Sequence, residues 1–124
     1  MNKIKLTCEE LIKRKDALIE GKKTPKTKDL YIESLDAVIT IKQPDRDTVS
    51  DTQAIDNGGL SDRYLVYECC LTPNLKDSQL QSAYGCAEPD EIVDKIFELG
   101  EIGKIAAQCT ELAGAGNKVE EIKN

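Results

Sequence analysis

With 124 residues, one phenylalanine and no tryptophan, the chain has room for a single domain whose core rests on Leu, Ile and Val. Hydrophobic residues make up 40% and charged residues 32%, for a formal net charge of −6. No apolar run approaches the ~20 residues that cross a bilayer. The absence of histidine excludes Cys–His and Ser–His nucleophile pairs within this chain and removes the commonest metal ligand.

The start, MNKIKLTCEELIKRK, lacks the continuous apolar segment of a secretory signal, so the protein is expected to stay in the cytosol. Its five cysteines, an odd number, are then expected to be free thiols. Charge is unevenly spread. Residues 1–28 hold nine Lys/Arg against four Asp/Glu, a balance of +5, and residues 29–124 hold eight against nineteen, a balance of −11.

In chain order, Thr7 with Glu10 three residues on is a capping-box signature. Leu11, Ile12, Lys15, Leu18 and Ile19 then form a stripe at helical spacing, which Gly21 is placed to end. KKTPKTK is a basic linker, so residues 1–28 read as a basic helix and linker. In DLYIESLDAVITIKQP, alternation and β-branched residues predict two short strands turning at Ser34 to Asp36. Pro44 ends the second strand, and the acidic residues behind it suit a helix start. That helix has a thin apolar face, Val49, Ala54 and Ile55, and Asn57-Gly58-Gly59 stops it.

From Ser61 the pattern is helical again. Leu60, Tyr64, Tyr67 and Leu71 share one face, and the helical period outweighs the β-propensity of YLVYECCL. TPNL breaks this helix, and KDSQLQSAY is a short one ending at Gly85. Pro89 stands at a first helical position before Asp90 and Glu91. Ile92, Val93, Ile96, Phe97 and Leu99 form the next stripe, and Gly100 interrupts it. Ile102, Ile105, Ala106, Cys109, Leu112 and Ala113 form the last. The second stripe lies ~80° from the first, which predicts two helices joined at the glycine.

The fold class expected is α+β and mainly helical, with a short N-terminal β-hairpin and a C-terminal bundle of four to five helices. Residues 29–113 form the single globular domain, and 114–124 a flexible C-terminal tail.

Little in this pattern points to catalysis. Adjacent helical cysteines point about 100° apart, so Cys69 and Cys70 do not face one ion together. Cys69 and Cys109 fall on apolar faces and are expected to pack as small hydrophobes. LAGAGNK follows a helix instead of leading into one, so it reads as a helix end and not a phosphate loop. No enzyme activity, metal or cofactor is expected. The basic segment leaves an alternative open: a small nucleic-acid-associated regulatory protein, whose affinity would fall steeply with salt. Against it, no aromatic residue is interleaved with the lysines for base stacking, and the acidic body repels nucleic acid.

Residues 63–113 carry a recognisable order of motifs: RYLVYE, PNLKD, LQSAYG, EPDEIVDKIF, GEI and LAG, followed by VEEIKN. Together with the earlier DLYIESLDAVITIKQPDR, this order resembles the XkdN-like tail assembly chaperones of bacteriophages and prophages. One departure is Leu99, where the family pattern has proline before the glycine. The resemblance implies a non-catalytic chaperone that binds the tape-measure protein and helps recruit tail-tube protein of the same phage or prophage. It implies work in the bacterial host cytoplasm and absence from the finished virion. A homo-oligomer is compatible; no nucleic-acid or membrane partner is expected. The partner-binding residues expected are Tyr64, Tyr67, Leu71 and Tyr84, the alternative being that all four are core.

Overall fold

In the computed structural model, which describes residues 3–123, Thr7 caps the first helix as its sequence requires. Its hydroxyl accepts from the Glu10 amide at 3.2 Å and starts α1 (Cys8–Lys13). The helix does not run unbroken to Gly21. Arg14, at φ −86° and ψ 0°, interrupts it, and α2 (Lys15–Lys23) resumes with Gly21 in its interior. Glycine inside a helix costs only about 1 kcal/mol. The firmer stop is Thr24, held extended at φ −110° and ψ 126° ahead of Pro25. Neither helix buries a residue.

Strand β1 (Thr27–Ile32) pairs antiparallel with β2 (Ala37–Lys42), Leu30 opposite Ile39. One 3-10 turn over Glu33–Leu35 joins them, closed by Asp36 at φ +46°. Aspartate tolerates this left-handed position because its short carboxylate bonds locally, and it accepts here from the Tyr31 hydroxyl at 2.7 Å.

The expected N-terminal hairpin needs correction. It follows two helices and does not stand alone: β3 (Cys70–Thr72) adds to β2, giving the order β1-β2-β3. A two-stranded ribbon is marginal in water, and a third strand with a buried face stabilises it. Thr40 pairs with Thr72 and Ile41 with Cys70, so Leu71 is an extra residue, a bulge on the short strand. The helix that sequence periodicity carried through Leu71 therefore ends earlier. Helix α4 (Gly58–Cys69) stops where Cys70 turns extended at φ −74° and ψ 112°. Both readings of YLVYECCL hold in part, the helical one up to Cys69 and the β one beyond it.

Local chemistry sets the other boundaries. Asp45 accepts from the Thr48 amide at 2.8 Å and caps α3 (Arg46–Ala54). Asn57 accepts from the Leu60 amide at 3.1 Å, so the Asn-Gly-Gly stop also begins α4. Asp77 caps α5 (Ser78–Ala83). That helix ends in a Schellman motif: the Cys86 amide donates to Gln81 and the Gly85 amide to Ser82, with Gly85 at φ +66°.

Pro89 precedes α6 (Glu91–Ile96) without joining it. The break before α7 (Leu99–Thr110) falls at Phe97 and Glu98, not at Gly100. Phe97 is extended and only 4% exposed, while Glu98 and Glu101 close a capping box. Leu99, placed on the apolar stripe by spacing, stands 82% exposed. Helix α7 runs into a π turn over Glu111–Ala115 that includes Gly114 at φ +98°. Among the described residues there are seven α-helices, against the five or six expected. The first helix divides at Arg14.

One cluster forms the core. Ile39 and Ile41 enter it from β2, Leu65, Val66 and Cys69 from α4, Leu75 from the loop after β3, and Ile92 and Val93 from α6. Ile102, Ile105, Ala106 and Cys109 complete it from α7, as their stripe required. Helix α4 lies at the centre, packed on α3, α6 and α7. Arg63 fastens α4 to α6, reaching Asp94 at 2.7 Å and Asp90 at 3.4 Å with its side chain 19% exposed. Arg63→Ala would leave two carboxylates facing each other, and is expected to cost roughly 1–3 kcal/mol. Thermal unfolding would read this; an unchanged midpoint would show that the clamp is slack.

Candidate partner-binding surface

Three of the five thiols, Cys69, Cys70 and Cys109, are buried in the core. Cys69 and Cys109 are 1% and 0% exposed and neighbour each other in the core. The hydrogen bond between them and the loss of solvent hold the Cys109 thiol protonated, well above the usual range. Burial likewise pushes the Cys70 thiol up to about 11 from 9.0. Its Sγ donates to the Pro73 carbonyl at 3.3 Å.

A thiol that ionises only near 11 when folded keeps a proton that the unfolded chain gives up near 9. The stabilisation is therefore complete below about pH 9 and fades between about pH 9 and 11, by on the order of 2–3 kcal/mol. A urea midpoint that falls over this window, less steeply in Cys70→Ala, is the expected result. The same slope in both proteins would mean that other groups control it.

The four residues proposed from sequence as contacts differ in exposure. Tyr64 is half-buried, and its hydroxyl donates to Asp51 of α3 at 3.0 Å. Burial, then that bond, pushes its phenol up to about 12. Tyr67 is half-buried toward the α5 segment, where its oxygen accepts from Gln81 at 3.3 Å and Lys76 sits 5.5 Å from the ring centroid. Leu71 and Tyr84 are 47% and 48% exposed, Leu71 on the β3 bulge and Tyr84 at the C-cap of α5. Two of the four thus tie α4 to its neighbours, and two stand in solvent.

Two surfaces were not foreseen from sequence. An apolar cleft of about 440 Å³ opens between α3, α4 and the π turn, lined by Pro44, Val49, Thr52, Leu65 and Ala113 among others. Its sequence signal was the thin apolar face of α3, from which Val49 lines the cleft. The other surface is the N-terminal arm. Ile4, Leu6, Leu11, Ile12, Leu18 and Ile19 are 43–75% exposed, and periodicity alone could not reveal that their stripe goes uncovered.

Among the described residues no helix is long and apolar enough to cross a membrane. No curated protein and no solved structure matches the chain significantly. A family model does: that of the phage XkdN-like tail assembly chaperone protein, over residues 1–124.

Proposed function

This chain belongs to the phage XkdN-like tail assembly chaperone family, and on that premise we propose that its client is the tape-measure protein of its own phage or prophage. The family role is non-enzymatic assistance to tail assembly. In the reading proposed here, the chain reversibly captures exposed apolar stripes of the client in the bacterial host cytoplasm. It helps bring tail-tube subunits to the client and is absent from the finished tail.

The observation that supports this reading is the exposure of Leu71 and Tyr84 on a strongly charged body. The bulge leaves Leu71 outside the β ladder, so its side chain is free to meet an amphipathic helix laid across the β3–α5 face. Tyr67 borders that face from α4. Tyr64, bonded to Asp51, ties α4 to α3 instead.

The test is co-expression with the tape-measure protein of the same tail gene cluster, reading the client's soluble fraction and co-purification. A client that stays soluble and elutes with this chain is the expected result. A client that aggregates regardless, with nothing co-eluting, would overturn the assignment of partner.

A further inference from the structure

The sheet has two edges, and the fold guards only one of them. At the β3 edge the strand is three residues long and bulged at Leu71, and both devices blunt an edge against further pairing. At the other edge β1 runs for six residues with neither a bulge nor a proline in it.

The register shows which groups of that edge are unused. The Gln43 amide donates to the Lys26 carbonyl at 2.7 Å, and hydrogen-bonded pairs alternate along an antiparallel ladder. Lys28, Leu30 and Ile32 therefore bond to β2, opposite Ile41, Ile39 and Ala37. Thr27, Asp29 and Tyr31 turn their amides and carbonyls outward. Outside the ladder, the bonds at these three among the described residues are those of the Tyr31 hydroxyl and the Asp29 carboxylate, both side-chain groups. A row of backbone donors and acceptors left to solvent is a template for extended chain.

A groove of about 540 Å³ lies beside this edge, between β1 and α7. Leu30 and Ile32 line it from the strand and Ile105 from the helix. Side chains alternate along a strand, so one added to β1 would send every second side chain into that apolar groove. Glu33 and Glu101 line the groove against the single Lys104. Glu101 is engaged by the Ser34 hydroxyl and amide. Glu33 is exposed and makes no ion pair among the described residues. The groove thus favours a cation at its Glu33 end. A second copy of β1 is a poorer match, because centring the pair on Lys28 or on Asp29 sets that charge opposite its own duplicate.

We propose that β1 accepts, as a fourth and antiparallel strand, an extended segment of another protein that alternates apolar with polar residues and carries Lys or Arg at its N-terminal end. Its backbone takes up the outward amides and carbonyls of Thr27, Asp29 and Tyr31, its apolar side chains enter the groove, and its cation meets Glu33. The client reading lays a helix on the β3–α5 face, at the other edge of the sheet. The strand site does not rest on that reading, and its test contains no tape-measure protein.

The experiment is a ¹⁵N–¹H NMR titration of the full chain with a synthetic peptide of alternating valine and threonine headed by two arginines. Saturable shifts are expected, largest at the amides of Thr27, Asp29 and Tyr31, with slowed deuterium exchange at the same amides. Replacing the arginines by glutamates should weaken binding at least tenfold, and Glu33→Lys should reverse that preference. Asp29→Pro removes one outward amide and no ladder bond, so it should abolish binding while the β1–β2 pairing persists. Glu33→Lys alters only an exposed side chain and keeps the test decisive if the proline variant does not fold. No saturable shift up to millimolar peptide would overturn the proposal. So would equal binding of the arginine and glutamate peptides, or shifts centred away from β1. Edge shifts that grow with protein concentration in the absence of peptide would overturn it too, by giving the edge to a second copy.

Discussion

Leu75→Ala is expected to destabilise the fold by about 3–4 kcal/mol, as large-to-small changes at closed core sites do. Leu75 sits in a loop, between the Thr72–Pro73 cis peptide and the Asp77 cap, yet it is 0% exposed. Its carbonyl accepts from the Gln81 side chain at 2.9 Å, which anchors the loop backbone while the isobutyl group enters the core. The surrounding wall comes from several elements, so it cannot collapse into the space without moving them. For a domain stable by roughly 5–15 kcal/mol, the loss is a large fraction of the whole. Urea unfolding should show a lower midpoint with an unchanged slope. The control is Leu99→Ala, at an 82% exposed position, where a change within about 0.5 kcal/mol is expected. Equal midpoints for the two variants would mean that the loop does not pin the core.

The second large effect concerns the client. Leu71→Glu combined with Tyr84→Glu is expected to cut recovery of the tape-measure protein at least tenfold, equivalent to about 1.4 kcal/mol or more of binding. Each substitution places a carboxylate where an apolar partner surface would close over it, and a desolvated charge without a partner is costly. The fold should tolerate both, because the side chains are about half exposed and Leu71 lies outside the strand register. Tyr64→Phe separates the two roles: it removes the bond to Asp51 and is expected to loosen α3 without reducing capture. Undiminished capture by the double glutamate variant would move the client interface off the β3–α5 face. The α7–β1 groove, lined by Leu30, Tyr31, Lys104 and Ile105 among others, would then be the surface to probe.

Where the chain's elements begin and end was legible wherever the cause is local. Thr7 and Gly85 act on amides or carbonyls at most a few residues away, so a reader of the sequence has every participant in view. The stripe Ile102, Ile105, Ala106 and Cys109 was legible for the same reason: an unbroken helical period with one apolar face buries that face. The packing role expected of Cys69 and Cys109 followed from their positions on such faces. The family, too, was legible in the order and spacing of ordinary motifs, none of them specific alone.

Errors arose where a distant segment decides. Cys70 to Thr72 became a strand because β2 offers an open edge some thirty residues earlier, and that pairing overrode the helical period through Leu71. The bend expected at Gly100 moved back to Phe97 and Glu98 because the core takes the phenyl ring and the capping box fixes the next turn. Arg63 went unremarked because its carboxylate partners lie 27 and 31 residues away.

The sequence by itself determined the Thr7 cap and the Gly85 helix end, the buried stripe of α7, the packing of Cys69 and Cys109 and the membership of the family. All of these depend on near neighbours or on motif order. Only the tertiary structure decided that Leu71 stands on a bulge, that Leu75 is core and that the arm's apolar stripe is uncovered. Periodicity identifies which side chains share a face; what lies opposite that face is set by long-range packing.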